Sequence, residues 1–125
     1  MEDFPFKEET YQIIGICMDV QKTLGYGFSE AVYKDAMELE FTDAPLRYFR
    51  ERELAVEYKG RILRHRFITD FLCHEKIIVE VKSSDTGIID DHIAQTLNYL
   101  RVSDNTIGLI INFGKRRLEY KRLIL

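Results

Sequence analysis

Between residues 8 and 24 the apolar positions Ile13, Cys17, Val20 and Leu24 recur at the i, i+4, i+7, i+11 spacing of one buried helical face. Gly25 stands where a helix C-terminal glycine belongs, and Gly25-Tyr26-Gly27 breaks the chain in a turn. Two glycines flanking a tyrosine are too few for a phosphate-cradling loop. Ser29 is a suitable N-cap for a second helix reaching Phe41. Its expected buried stripe is Val32, Ala36 and Leu39, with Tyr33 and Met37 beside it. Asp43-Ala44-Pro45 ends that helix.

From there the period shortens to two. Leu54, Val56 and Tyr58 share one face of a strand over 50–58, and Lys59-Gly60 reads as a hairpin turn with glycine supplying positive φ. The next strand, 61–73, places Ile62, Arg64, Arg66, Ile68, Asp70 and Leu72 on one face. A turn at His74-Glu75 leads into a third strand, 76–83. After a loop over 84–90, Asp90 or Asp91 is expected to cap a helix to Arg101, with Ile93, Leu97 and Leu100 facing the core. His92, Gln95 and Tyr99 form a second, polar stripe on it. Thr106 to Phe113, TIGLIINF, is almost continuously apolar, as a strand buried on both faces would be. A basic turn, Gly114-Lys115-Arg116-Arg117, precedes a last strand over 118–125. A helix crossing from the third strand to the fourth implies a parallel, right-handed connection, so the sheet is expected to be mixed, with helices packed against it. The fold class is α/β.

The chain of 125 residues suits one domain with a real core. Its 18 basic and 21 acidic residues give a net charge of −3, which is not the balance of a dedicated nucleic-acid coat. The two cysteines, Cys17 and Cys73, lack metal or scaffold spacing and read as buried free thiols in a reducing compartment. No apolar run is long enough to span a bilayer, and the acidic start MEDFPFKEE lacks the form of a signal peptide. The expected location is the cytoplasm, with no membrane partner.

Candidate chemistry gathers in the third strand. Glu80 and Lys82 share a face with Ile78, while Ile77, Val79 and Val81 point the other way. An acid and a lysine in so apolar a strand need a reason, because unpaired buried charge is costly. If the turn at His74-Glu75 pairs the strands antiparallel, Asp70 becomes a near neighbour of Glu80. Two adjacent carboxylates repel unless a cation stands between them, and hard divalent ions prefer such oxygens. Lys82 beside that cation would hold or activate a water, or neutralise a phosphate. Glu30, in the first turn of the second helix, satisfies the helix dipole and is also placed to aim at the metal. Arg64 and Arg66 lead up to Asp70 on its own face as candidate phosphate contacts; the bland alternative is a solvated strand end.

Asp70, nine residues and then Glu80-Val81-Lys82 resembles the PD-(D/E)XK nuclease motif. The chain as a whole resembles the bacterial and archaeal GxxExxY proteins, small domains of that superfamily. The resemblance rests on Gly27-Phe28-Ser29-Glu30-Ala31-Val32-Tyr33, on Ile78-Val79-Glu80-Val81-Lys82, on the helix His92 to Leu100, and on the closing strand Gly108 to Gly114. It covers residues 8 to 124 and implies a restriction-endonuclease-like αβββαβ core, with 1–125 as one nuclease-like domain. It also implies metal ligation by Asp70 and Glu80, a catalytic role for Lys82, and support from Glu30 and Gln95. The backbone carbonyl of Val81 is a further candidate ligand.

The function expected from these readings is hydrolysis of phosphodiester bonds in nucleic acid with Mg²⁺ or Mn²⁺. Nucleic acid should bind weakly to the domain alone, and a homodimer or a larger complex stays open. The rival is a nucleic-acid-binding or assembly module, or a structural subunit of a larger complex, that keeps the fold without catalysis.

Overall fold

A computed structural model describes residues 5–105 and 107–125. The start of the acidic N-terminal segment, residues 1–4, and Thr106, the expected first residue of the fourth strand, lie outside the described residues.

Helix α1, Lys7–Leu24, buries Ile13, Cys17 and Val20 as the spacing predicts and ends at Gly25, whose φ is 81°. Helix α2, Glu30–Asp43, follows with Ser29 as its N-cap; the backbone carbonyl of Ser29, not its hydroxyl, takes the first helical hydrogen bonds. The expected buried stripe of α2 is corrected. Val32 and Leu39 are exposed, and Tyr33, Met37 and Phe41 are the residues fully buried. Both sets have helical spacing. The tyrosine set wins because the Tyr33 hydroxyl finds partners inside, donating to the Gly25 carbonyl at 2.7 Å and accepting from the Phe28 N–H at 3.2 Å. Its ring stacks on Phe113 at 4.2 Å.

Five strands follow: β1 Tyr48–Tyr58, β2 Arg61–Cys73, β3 Ile77–Lys82, β4 Ile107–Asn112 and β5 Glu119–Ile124. Their order in the sheet is their order in the chain, with β3 and β4 parallel and the other pairs antiparallel. Helix α3, Asp90–Ser103, makes the β3-to-β4 crossover. Its N-cap is Ile89, one residue before the expected aspartates, and His92 Nδ1 accepts the Ile89 N–H at 3.3 Å. The sheet is therefore mixed and carries helices on both faces. Ile77, Val79 and Val81 pack with Leu109 and Ile111 against α1 and α2; Ile78, Leu72 and Ile110 pack with Leu100, Ile93 and Leu97 under α3. β4 is buried along its whole length, as its apolar run requires. Cys17 and Cys73 are buried free thiols.

The Lys59-Gly60 turn has positive φ at both residues, as a tight hairpin requires. β2 pairs with β3 only from Phe71 to Cys73. The outer part of the β1–β2 hairpin therefore extends past β3 and is exposed on both faces around Arg61–Arg66.

Candidate active site

The point where β2 leaves β3 is where the acids meet. The last ladder pair is Phe71 with Val79, and the next positions along are Asp70 and Glu80. Here side chains take over the ladder's hydrogen bonds. The Asp70 N–H donates to Glu80 Oε2 at 2.9 Å, and the Val81 N–H donates to Asp70 Oδ2 at 2.7 Å. Thr69, fully buried, also donates its hydroxyl to Glu80 Oε2, at 2.8 Å. Glu80 is 4% exposed in the apolar centre of the sheet. Burial, and then the charge of Asp70, push its carboxyl up to about 7, against the hydrogen bonds from Asp70 and Thr69 and the charge of Lys82, which lower it.

Lys82 lies two residues on, half-buried, on the Glu80 face of β3. Its carbonyl accepts the Phe113 N–H, which fixes its backbone to β4. Tyr99 of α3 stands over the same region, stacked on Phe67 at 4.2 Å. Burial raises its hydroxyl pKa, and the charges of Glu80 and Asp70 add to that. Gln95, exposed, is one helical turn before Tyr99.

A cation does stand against Asp70: the ammonium of Lys34. Lys34 Nζ is 2.9 Å from Asp70 Oδ1 and 3.4 Å from Glu51 Oε1, with the side chain 10% exposed. Burial lowers the Lys34 pKa, but the hydrogen bond and charge of Asp70, with Glu51, outweigh it and raise it overall. Glu51 reaches Lys34 from β1 through a left-handed backbone, φ 53°, opposite Asp70. Neither Lys34 nor Glu51 was a candidate from the sequence. Glu30 lies one turn before Lys34 on α2, exposed at the helix start.

The oxygens gathered here suit a hard divalent ion: the Asp70 and Glu80 carboxylates and a strand carbonyl. Val81 turns its N–H toward Asp70, and in an extended strand its carbonyl faces the same edge. Among the described residues, no group of three or more His, Cys, Asp or Glu side chains is arranged to hold a metal ion. Arg64 and Arg66 are exposed on the hairpin, and Arg66 Nε is 3.6 Å from Glu53. At ~3.3 Å per residue, Arg64 is ~20 Å and Arg66 ~13 Å along the strand from Asp70.

A family model described as the PD-(D/E)XK nuclease superfamily matches residues 7–123. The chain belongs to the PD-(D/E)XK nuclease superfamily. Its mixed sheet between helices is the restriction-endonuclease-like form of that superfamily. Among solved structures, the crystal structure of SSO0001 is similar, with a TM-score of 0.60 and 15% identity, which speaks to the fold alone. That match covers 95% of this chain and 59% of the other. None of the curated proteins matches.

The motif residues of this superfamily member also hold the site together. Ser83 donates its hydroxyl to the Phe28 carbonyl, tying the end of β3 to the turn before α2. Asn112, fully buried at the end of β4, accepts the N–H groups of Ser84 and Gly114 at 2.9 and 3.1 Å. It donates to the Ser84 carbonyl and to Glu119 Oε1 at 2.9 and 3.0 Å. A Cβ at Gly114 would overlap the Ser84 backbone. The segment just past Lys82 is thus clamped onto β4. Sequence reasoning passed over Asn112, although an asparagine set between Ile111 and Phe113 in that apolar run was a signal that a buried partner set exists.

Proposed function

We propose that this PD-(D/E)XK domain is a metal-dependent nuclease that hydrolyses phosphodiester bonds in nucleic acid, and that its finer kinship is with the GxxExxY proteins. The observation that carries the reading is the lock between Asp70 and Glu80, two carboxylates held side by side by each other's strand, with Lys82 on the same face. Asp70, Glu80 and the Val81 carbonyl would hold Mg²⁺ or Mn²⁺, with Glu30 contributing directly or through water. When bound, the ion would lower the pKa of an attacking water and offset charge on the scissile phosphate. Lys82 would position that water or help to deprotonate it; Gln95 would orient Lys82 or the phosphate. Thr69 and the Asp70 N–H keep the Glu80 carboxylate turned toward the gap between β2 and β3.

The substrate contacts proposed away from the centre are Arg64 and Arg66. With net charge −3 the domain, residues 1–125 read as one unit, binds nucleic acid weakly alone. Further contacts would come from a second copy or a larger complex. Among the described residues, no helix is long and apolar enough to cross a membrane, and a cytoplasmic location accords with free buried thiols.

The non-catalytic reading is favoured by one observation, the Lys34 ammonium on Asp70, which neutralises that acid without an added ion. A nuclease assay over single- and double-stranded DNA and RNA, with Mg²⁺ and with Mn²⁺, decides between them. Cleavage that is lost on chelation and in Asp70→Ala supports the enzyme. No cleavage of any substrate by the wild type, with Mn²⁺ unable to bind, leaves the binding module.

A further inference from the structure

Asp70 has two carboxylate oxygens, and both are taken. Oδ2 accepts the Val81 N–H at 2.7 Å, which fixes the side chain to the strand that bears Glu80. Oδ1 accepts the Lys34 ammonium at 2.9 Å. The lysine comes from α2, 36 residues away in sequence, and is buried at its tip between Asp70 and Glu51. Such a burial is unusual for lysine and requires pairing. Asp70 supplies that pairing, and a left-handed residue in the middle of β1 adds to it: Glu51 departs from strand geometry at the position opposite Asp70, between the pairs Arg50–Phe71 and Arg52–Thr69. A non-glycine residue in that conformation is sustained only where its surroundings hold it. Arg50 helps to do so, anchoring the preceding residue to α2 through Asp35 and Glu38 at 2.7 and 3.0 Å.

From this geometry we infer that Lys34 is a tethered cation that holds Asp70 in place and competes with a divalent metal ion for Asp70 Oδ1. The inference rests on the metal-dependent reading of the site. A divalent ion using Asp70 needs an oxygen at 2.0–2.6 Å. An ammonium already hydrogen-bonded to that oxygen would then sit within a few ångströms of the ion, where like charges repel strongly at low dielectric. Lys34 must swing aside for the ion to enter, and Glu51, 59% exposed, offers it a second carboxylate on the way out. Lys34 is therefore a positioning residue that sets metal affinity, not a catalytic residue.

The test is calorimetric titration of Mn²⁺ into the wild type, Lys34→Met and Lys34→Arg, with circular dichroism confirming the fold of each. The expected result is at least tenfold tighter binding to Lys34→Met and near wild-type affinity for Lys34→Arg, which keeps the charge. Equal or weaker binding to a folded Lys34→Met overturns the competition while leaving the metal reading intact. Absence of binding to all three overturns the metal reading and the inference with it. Should Lys34→Met not fold, the wild type still decides. The side-chain ¹⁵N resonance of Lys34, followed by NMR during titration with diamagnetic Mg²⁺, should shift as the site fills. A Lys34 signal unmoved while Mg²⁺ saturates the protein overturns the inference.

Discussion

Glu80 accepts the backbone N–H of Asp70 at 2.9 Å, although both residues are acids and both lie in the sheet. The contact exists because β2 and β3 separate at this pair, and a separating ladder leaves backbone donors that need new acceptors. Carboxylates fill that need, and the fold draws two negative groups together to satisfy its own backbone. The result is a strained electrostatic spot with a structural cause, of the kind that marks functional sites.

The first prediction follows from the raised proton affinity of Glu80. Its carboxyl is pushed up from 4.5 to about 7, so the folded state binds this proton more tightly than the unfolded chain does. Stability from this group is fully present below pH 4.5 and is lost as pH rises through about 7. Each tenfold gain in proton affinity is worth ~1.36 kcal/mol, so the whole swing is of order 3 kcal/mol. In metal-free buffer, urea unfolding of Glu80→Gln should match the wild type near pH 4.5 and be more stable than it by up to that amount at pH 8. The glutamine keeps an oxygen for Thr69 and the Asp70 N–H. A difference between the two proteins that does not change with pH would contradict the raised Glu80 pKa.

Lys82→Ala should leave the melting temperature near that of the wild type and abolish cleavage. Its side chain is half-buried at the strand end, and its backbone carbonyl is tied into the sheet by the Phe113 N–H. Loss of a proton-transfer group typically costs 10²–10⁴-fold in rate. Single-turnover cleavage beside a thermal melt checks both halves; an unfolded variant or unchanged cleavage refutes the role.

Much of this architecture was legible because it depends on period. The faces of β3, the Lys59-Gly60 hairpin and the parallel crossover follow from alternation and turn chemistry. The single face expected along 61–73 does not hold: Phe67 and Leu72, of opposite parity, both pack towards α3, while Asp70 meets Lys34 of α2. The pairing of Asp70 with Glu80 followed from counting residues around His74-Glu75. Helix α2 was misread because it offers two apolar stripes, and only tertiary partners for the Tyr33 hydroxyl choose between them. That error hid Lys34. One residue is ~100° of helix rotation, so turning α2 inward on Tyr33 rather than Val32 brings the neighbouring lysine inside as well. Glu51 could not be found this way, because a left-handed residue within a strand leaves no mark in the alternation.

Asn112 should be the most sensitive polar residue outside the acid pair. Four hydrogen bonds converge on it, three of them to the backbone of Ser84 and Gly114. Each buried group left without a partner costs about 1–3 kcal/mol, so Asn112→Ala should lose at least ~3 kcal/mol in urea unfolding. Asn112→Asp should be worse still, since its second oxygen would face the Ser84 carbonyl and the Glu119 carboxylate. An aspartate variant as stable as the wild type would show that the clamp past Lys82 is held by other contacts.

The arginines of β2 separate binding from chemistry. Arg64 and Arg66 are exposed on the outer hairpin, ~20 and ~13 Å along the strand from Asp70, too far to touch the phosphate held there. One nucleic-acid strand advances ~3.4 Å per nucleotide, so these side chains would meet phosphates several nucleotides from the scissile bond. Arg64→Ala with Arg66→Ala should weaken binding without lowering the cleavage rate at saturating substrate. Each lost phosphate contact reduces the slope of log affinity against log salt by ~0.9 for duplex DNA, so the double variant should flatten it by nearly ~2. Arg66 already sits 3.6 Å from Glu53, and this partial pairing makes its share the smaller one. Fluorescence anisotropy with Ca²⁺ in place of Mg²⁺, at several salt concentrations, measures the slope without cleavage. An unchanged slope would move nucleic-acid recognition off the hairpin, towards the basic turn of Lys115, Arg116 and Arg117.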